Sequence, residues 1–336
     1  MKQIRKTARE RMKGFCRVCP ECNGIACAGE VPGMGGIGTG SAFKANVTAL
    51  ARWRLNMRLL HNVATPATAI EFLGKPLRFP VLAAPIGGVA FNMGGAVTEE
   101  DYIAAVLGGC VESGTLGCVG DGVPDFIHEA GYAAIKALGG AGIPFIKPWQ
   151  EAELDQKIEK ALAAGTDVIG MDVDAAGLIT LRLMGRPVSP KSPQTLRRML
   201  RKLPAKFILK GLMTPDDARR AVDVGAHAIV VSNHGGRVLD HTPGVAEVLP
   251  EIAAAVKGKI TIVADGGIRS GADVLKMLAL GADAVMIGRP ISVAAVGGSK
   301  TGVAQYLAQV ASELTAAMVL TGTPDVTAAD GAILRG

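Results

Sequence analysis

Eight short apolar runs, each followed by a helical pattern, organise the sequence between residues 80 and 288. The runs are PVLAAP (80–85), GTLGCV (114–119), IPFIK (143–147), VIGMDVD (168–174), KFILK (206–210), AIVVSNH (228–234), ITIVAD (260–265) and AVMIG (284–288). Uniformly apolar runs are typical of strands in a parallel sheet that is covered on both faces. Eight strand–helix units predict an α/β fold, a (β/α)₈ TIM barrel.

The stretches between the runs carry helix boundary signals. TPDDARRAVDVGA and SGADVLKMLALGA each begin with an N-cap residue and an acidic first turn. Gly165, Gly225 and Gly281 stand where helices should end. A doubly wound sheet is the alternative fold, but it usually has fewer strands. GMGGIGTG (33–40) contains a G-x-G-x-x-G spacing, yet no strand precedes it.

The sequence divides into two parts. Residues 1–45 lie outside the repeat and form a cysteine-rich N-terminal segment, and residues 46–336 form the predicted barrel. Residues 70–79 (IEFLGKPLRF) predict a hairpin that caps the barrel bottom, with its turn at Gly74-Lys75.

Composition excludes several function classes. Hydrophobic residues make up 49% and charged residues 20%, which favours a large core over disorder. The net charge is +6, but no basic stripe is interleaved with aromatic residues, so we expect no nucleic-acid binding. No apolar segment reaches the roughly 18 residues of a membrane span. The charged N-terminus lacks the apolar core of a signal peptide, so we expect a cytoplasmic protein.

Polar side chains follow the apolar runs, where a TIM barrel carries its active site. They are Lys147, Asp174, Lys210, His234 with Arg237, Asp265 and Arg289. One such residue alone would indicate a structural salt bridge. Several converging on one face predict a catalytic site, because ionisable groups are rarely buried without partners.

The last two units predict a phosphate site. ADGGIRSG and IGRP place glycines and arginines after the seventh and eighth runs. Barrels commonly bind phosphate there through backbone N–H groups, and Arg269 and Arg289 would add charge and bidentate hydrogen bonds.

Four stretches carry a family resemblance. FPVLAAP, ILKG, VSNHGGRVLD and ADGGIRSGADVLKMLALGADAVMIGRP are similar to the FMN-dependent α-hydroxy-acid dehydrogenase/oxidase family, which includes lactate oxidase and glycolate oxidase. The likeness runs from about residue 46 to 325 and is densest over 206–290. It implies FMN as cofactor and oxidation of a small, lactate-like L-2-hydroxy acid to the 2-oxo acid. Relatives are often tetramers, which implies a homo-oligomer.

The resemblance also implies residue roles. His234 matches the base, Asp174 its carboxylate partner, Arg237 the clamp on the substrate carboxylate, and Lys210 the lysine beside flavin N1/O2. The positions that it assigns to the cofactor are Pro85, Ile86, Gly87, Lys210, Ser232, Asp265, Gly267, Arg269, Gly288 and Arg289. A 2-hydroxy acid needs such a base and such a clamp, because its oxidation releases protons and its carboxylate needs a fixed cation.

The substrate-binding positions depart from the family. The family has a glutamine and a tyrosine after strand 3, where FIKPWQ has Lys147 and Trp149, and we expect both to contact the substrate. After strand 4 only Arg182 lies near the family's second arginine, and the N-terminal tyrosine has no counterpart. Two alternatives therefore stay open: an FMN barrel of other chemistry, like isopentenyl-diphosphate isomerase, or a non-catalytic flavin- or metal-binding protein. The His-Gly-Gly-Arg element favours hydroxy-acid chemistry.

The N-terminal segment contains a second motif. Cys16, Cys19, Cys22 and Cys27 have the spacing C-x₂-C-x₂-C-x₄-C. The first three resemble the start of ferredoxin motifs and indicate an iron–sulfur cluster. Structural zinc is the alternative, and a thiol-rich tail without metal is the third interpretation. A cluster would pass electrons singly to an acceptor protein, which would make the enzyme a dehydrogenase rather than an oxidase.

Overall fold

Eight parallel strands close into a barrel, which confirms the predicted (β/α)₈ fold. The computed structural model describes residues 1–178, 181, 184–186 and 188–336. Each strand pairs with its neighbours in the chain, and β8 closes the barrel against β1. The strands are β1 Val81–Ile86, β2 Gly117–Val119, β3 Ile143–Ile146, β4 Val168–Asp172, β5 Lys206–Leu212, β6 Ala228–Val231, β7 Thr261–Ala264 and β8 Ala284–Ile287.

Helices surround the barrel and extend it at the N-terminus. The helices are α1 Lys2–Arg11, α2 Ser41–Arg52, α3 Val89–Met93, α4 Glu99–Glu112, α5 Asp125–Ala137, α6 Glu151–Ala163, α7 Pro193–Leu200, α8 Pro215–Val224, α9 Val245–Val256, α10 Gly271–Ala279 and α11 Arg289–Thr321. Short 3₁₀ turns occur at Val173–Gly177, Val326–Ala328 and Gly331–Ile333. A two-stranded pair, Arg54–Leu55 with Leu334–Arg335, ties the two ends of the barrel chain together.

The predicted helix signals act as capping groups. The hydroxyl of Thr214 accepts from Asp217 N at the start of α8, and Ser270 forms a full capping box with Asp273 at the start of α10. Each contact satisfies backbone N–H groups that have no partner inside the helix. Gly225 ends α8 with φ +89°, a conformation that costs glycine nothing and other residues about 1–2 kcal/mol.

The core has two layers. Inside the barrel, inward side chains such as Leu82, Phe145, Ile208 and Met286 fill the axis. The hairpin formed by Ile70–Phe72 and Lys75–Leu77 adds Phe72 and Leu77 to this cluster, so it closes the barrel bottom as predicted. The second layer lies between the strands and the surrounding helices. The open end of the barrel is therefore the end at which the strands finish.

The N-terminal segment packs onto the barrel. Helix α1 lies along α11, and Arg11 donates to the carbonyl of Val296. The predicted boundary after residue 45 falls inside α2, so one continuous helix joins the two parts.

Among the described residues one helix, α11, is long and apolar enough to cross a membrane. Its length results from two helices that meet at a kink, where Ser299 has φ 52° and ψ −149°. It packs against α1, α4 and α10, as a core helix does.

The contact between α10 and α11 yields a test of the fold. A Cβ at Gly271 would overlap the backbone of Val310 and Leu314, whereas one at Gly331 would meet nothing within 4 Å. We expect Gly271→Ala to lower the free energy of unfolding by about 1–3 kcal/mol through overpacking. Gly331→Ala is the matched control and should change it by less than about 0.5 kcal/mol. Chemical denaturation of both variants measures the difference, and equal stabilities would contradict the packing described.

Candidate active site

His234 lies in the loop after β6 and pairs with Asp174. Its Nδ1 is 3.1 Å from both carboxylate oxygens of Asp174, which belongs to the 3₁₀ turn after β4. The loop is sharply turned, because His234 has φ +57° and Gly235 and Gly236 follow with φ +64° and +77°. An Nδ1–H held by a carboxylate leaves Nε2 as the proton acceptor. The structure therefore brings together the predicted base and its predicted partner.

Ser232 stabilises the loop that carries His234 through hydrogen bonds. It is fully buried, and its hydroxyl accepts from His234 N and donates to Asp265 Oδ2 at 2.9 Å. Ser232 itself does not line the cavity at the barrel mouth, so its predicted contact with a cofactor is indirect.

Lys210, at the end of β5, forms a buried ion pair that the sequence analysis did not identify. Its Nζ is 3.0 Å from Asp172 Oδ1, and both side chains are almost fully buried. Burial alone would lower the pKa of Lys210, but the carboxylates of Asp172, Asp174 and Asp265 outweigh it and raise that pKa. Burial would raise the pKa of Asp172, but the charge of Lys210 and the weaker charges of His234 and Lys147 hold it below the ordinary range. The sequence signal for this ion pair was the position of Asp172 within the otherwise apolar run VIGMD.

Arg237 lines the cavity and is held in place by hydrogen bonds. Its Nη1 donates to the carbonyls of Gly33 and Gly35 at 2.6 and 3.1 Å, and its Nη2 donates to Asn92 Oδ1 at 2.9 Å. Burial lowers the pKa of Arg237 to about 10, so the guanidinium is charged at neutral pH. Nε and the second Nη2 hydrogen remain to bind an anion.

Glycines and arginines line the opposite side of the cavity, after β7 and β8. Gly266 and Gly267 have φ +87° and +84°, and a Cβ at either would collide with Asn46. Arg269 donates through Nη2 to the carbonyl of Cys22 at 3.2 Å. The guanidinium of Arg289 lies 3.8 Å from the Phe43 ring centre.

The residues present fit FMN. Nine of the ten predicted cofactor positions line one cavity, the exception being Ser232. Three buried polar atoms of that cavity have no hydrogen-bond partner in the described protein. One is Asp172 Oδ1, which forms the ion pair with Lys210, and the other two are Asp265 Oδ1 and Arg269 Nε. A carboxylate oxygen suits a ribityl hydroxyl, and a guanidinium N–H beside backbone N–H groups suits a phosphate. Pro85, Ile86 and Gly87 form the apolar wall of the same cavity.

The two residues predicted after strand 3 have different surroundings. Lys147 lines the cavity and is buried, in keeping with the prediction. Trp149 does not line it, so its predicted substrate contact is absent from the structure. Its side chain is only 1% exposed, and Nε1 donates to Asp121, which also binds Lys157 at 2.6 Å. The side chain of Trp149 points into the interior because the buried carboxylate of Asp121 accepts a hydrogen bond from its indole N–H.

The N-terminal segment forms part of the cavity mouth, which sequence reasoning missed. Val31, Pro32 and Met34 line it together with Phe91 and Met184. These side chains make this part of the cavity mouth apolar. Arg182, considered as the second substrate arginine, lies outside the described residues.

The four cysteines lie beside the arginine-lined end. Each is partly buried and none forms a disulfide. Val18 N donates to Cys16 Sγ at 3.4 Å, and Arg269 Nη2 is 3.5 Å from Cys22 Sγ. Within the described part of the chain, the group of three ligand atoms within 4.8 Å of one another is Asp172, Asp174 and His234, and it contains no cysteine.

The sequence matches the FMN-dependent dehydrogenase family over residues 33–182 and 182–336. The chain belongs to this family. It is 34% identical to 4-hydroxymandelate oxidase of Amycolatopsis orientalis, with 88% of this chain and 90% of the relative covered. It is 31% identical to L-lactate dehydrogenase of Xanthomonas campestris over 88% and 90% of the two chains. A crystal structure of mandelate oxidase with benzoyl-formic acid superimposes with a TM-score of 0.80 at 30% identity, covering 99% of this chain and 96% of that one.

Family membership confirms three predictions. The protein is an FMN-dependent hydroxy-acid oxidoreductase with a TIM-barrel fold. FMN is its cofactor, and the cavity at the barrel mouth provides the groups that FMN requires.

The buried pair Lys210–Asp172 yields a prediction for stability. Removing one partner of a buried ion pair typically costs about 3–5 kcal/mol, so we expect Asp172→Asn to destabilise the protein by an amount in that range. Because the folded-state pKa of Asp172 is lowered, the contribution is complete above about pH 4, the unfolded value, and is lost as the pH falls through the folded value. Denaturant unfolding at pH 7 and pH 3 should give a smaller difference at pH 3; a constant difference would show that the carboxylate charge is unimportant.

Proposed function

We propose that the protein oxidises a small L-2-hydroxy acid with an apolar, lactate-like side chain to the 2-oxo acid. The observation that carries the proposal is the pairing of His234 with Asp174 on the same cavity as the held guanidinium of Arg237. A proton acceptor and a carboxylate clamp are the two protein groups that this oxidation requires.

Each residue has a defined task in this reaction. Arg237 binds the substrate carboxylate through its remaining N–H groups. His234 Nε2 accepts the proton of the α-hydroxyl, and Asp174 stabilises the imidazolium that results. FMN supplies the acceptor for the two electrons when it is bound. The positive charge of Lys210, buried at the cavity floor, favours negative charge on a neighbouring group.

The apolar mouth supports the choice of side chain. Val31, Pro32 and Met34 offer no polar partner, so a charged substrate side chain would be desolvated there without compensation. The relatives named for lactate and for 4-hydroxymandelate both act on hydroxy acids whose side chains fit this description. Lactate is the smallest member of the class.

The two alternatives find less support. A non-catalytic protein would have no need to retain His234, Lys210 and Arg237 on one cavity, with Asp174 paired to His234. Against an isopentenyl-diphosphate isomerase-like reaction stands the His-Gly-Gly-Arg element, which places the paired His234 and the guanidinium of Arg237 on one cavity, as hydroxy-acid oxidation requires.

The role of His234 is tested by substitution. We expect His234→Ala to slow anaerobic reduction of the bound flavin by L-2-hydroxy acids at least about 10²-fold, because general-base catalysis commonly contributes that much. The FMN content should be unchanged, since His234 is not among the phosphate- or ribityl-facing groups. Stopped-flow absorbance measures the rate. Reduction at the wild-type rate would exclude His234 as the base.

A substrate panel tests the apolar mouth. L-lactate, L-2-hydroxyisocaproate, L-mandelate and L-malate are compared by anaerobic flavin bleaching. Malate should give by far the lowest kcat/KM, because its second carboxylate would be desolvated among apolar groups. If malate were preferred, the proposed specificity would be wrong; if none bleached the flavin, the non-catalytic alternative would gain support.

We further propose that the four cysteines bind an iron–sulfur cluster rather than zinc. In a multinuclear cluster different thiolates bind different irons, so the ligand sulfurs are farther apart than around one ion. Arg269 beside Cys22 and the N–H group of Val18 toward Cys16 would stabilise an anionic cluster. Such a cluster would pass electrons singly to an acceptor protein.

Metal and sulfide analysis of protein purified without air tests this site. We expect iron and acid-labile sulfide in equal amounts, with broad visible absorbance that persists after FMN is reduced. Replacing Cys19 and Cys22 by Ser should abolish both while the flavin remains bound. Zinc in place of iron would support the alternative, and absence of both metals would contradict the proposal.

A cytoplasmic location, the absence of a membrane span and of nucleic-acid binding, and a homo-oligomeric state remain proposals. The location rests on the charged N-terminus, the absence of a span on the lack of an apolar segment of roughly 18 residues, and the absence of nucleic-acid binding on the lack of a basic stripe interleaved with aromatic residues. The homo-oligomeric state rests on the family resemblance.

A further inference from the structure

The guanidinium of Arg237 has one side-chain partner among the described residues, Asn92. Its other two acceptors are backbone carbonyls of the N-terminal segment, at Gly33 and Gly35. Asn92 Oδ1 accepts from Nη2 at 2.9 Å and also faces Gly33 N at 3.4 Å. Asn92 therefore contacts both the clamp and the segment that holds the clamp.

The orientation of the Asn92 amide is fixed at both ends. A guanidinium can only donate, so the amide oxygen must face Arg237. The amide nitrogen then faces two carbonyls, those of Gly87 and Gly88, at 3.3 and 3.1 Å, and carbonyls can only accept. No exchange of oxygen and nitrogen would satisfy these partners.

The loop that Asn92 binds is rigid and forms the cavity wall. It follows β1, and its N–H groups at Gly88 and Val89 donate to the buried carboxylate of Glu99 at 3.0 and 2.7 Å. Gly87 and Gly88 both line the cavity. Asn92 thus connects this cavity wall directly to the guanidinium of Arg237.

We propose that Asn92 is a positioning residue, which sets the orientation in which Arg237 receives the substrate carboxylate. The inference rests on the proposed function for the identity of the ligand, but the predicted interaction needs only a carboxylate and no turnover. A neutral amide at this position is essential, because it holds the guanidinium without neutralising it.

Two substitutions of Asn92 distinguish the loss of the hydrogen bond that orients Arg237 from a change of charge beside Arg237. Asn92→Ala removes the acceptor and leaves Arg237 on the two carbonyls. Asn92→Asp keeps an acceptor for Arg237, but its charge competes with the ligand carboxylate, and its second oxygen would face the carbonyls of Gly87 and Gly88. Asn62→Asp adds the same charge at an exposed position and is the matched control.

The experiment titrates the FMN-loaded proteins with pyruvate, phenylglyoxylate and the neutral analogue pyruvamide, and follows the shift of the flavin absorbance. We expect Asn92→Ala to raise the Kd of both 2-oxo acids about tenfold, and Asn92→Asp to raise it more, since hydrogen bonds to charged groups have this magnitude. Binding of pyruvamide should change by less than about twofold, and Asn62→Asp should match the wild type. The KM for the reactive hydroxy acid should rise with Kd while kcat changes less.

The outcomes distinguish this inference from the proposed function. If Asn92→Ala and Asn92→Asp bind both 2-oxo acids as tightly as the wild type, Asn92 does not position the clamp. Equal weakening of pyruvamide and pyruvate would show a merely structural role. If no hydroxy acid reduces the wild-type flavin but the selective loss of carboxylate binding appears, the proposed function fails and the inference stands. If the wild type neither binds a 2-oxo acid nor is reduced, both fail.

Discussion

Three partly buried guanidinium groups, those of Arg237, Arg269 and Arg289, line one mouth of the barrel, and the rest of the site depends on how their charges are accommodated. Burial, and after it the neighbouring charge of Arg237, lowers the pKa of Arg289 to about 9. Among the described residues no carboxylate binds Arg237 or Arg289; their acceptors include the carbonyl oxygens of Gly33, Met34 and Gly35. Carbonyls satisfy the N–H groups but leave the charge in place. The mouth therefore remains attractive to anions, and an anionic cofactor and an anionic substrate both contribute to its stability.

The N-terminal segment is consequently part of the active site. The carbonyls that hold Arg237 and Arg289 belong to a glycine-rich loop, residues 33–36, which is bonded in turn to the cysteine-containing loop through Gly36 N and the carbonyl of Cys27. Glycine is required there: a Cβ at Gly35 would overlap the carbonyl of Cys27. A change at the cysteines, whether by metal or by oxidation, would reach the arginines through this short connection.

Local sequence signals predicted the elements whose structure is decided locally. The apolar runs, the caps at Thr214 and Ser270 and the left-handed glycine at Gly225 act over a few residues, and each behaves as expected. The pairing of His234 with Asp174 and the cofactor positions were implied by the family resemblance, and several of these residues also lie at or after strand ends, which meet in any parallel barrel. Trp149 was misplaced because its partner, Asp121, is 28 residues distant in sequence, and Asn92 was missed because it meets Arg237 across 145 residues. Contacts of this kind have no local signature.

The residues of the site fall into two groups, those carried by the strand ends and those contributed by other segments of the chain. His234, Lys210, Asp265 and Arg269 lie at or just after strand ends, whose relative positions are fixed by the ladder of the barrel. The N-terminal segment also lines the cavity, through Val31, Pro32 and Met34, and it is bonded to the barrel at Arg237, Arg269 and Arg289. Arg237 belongs to both sets, because a strand end carries it and the N-terminal carbonyls orient it. Arg237, the proposed carboxylate clamp, is therefore the residue that connects the N-terminal segment with the catalytic residues at the strand ends.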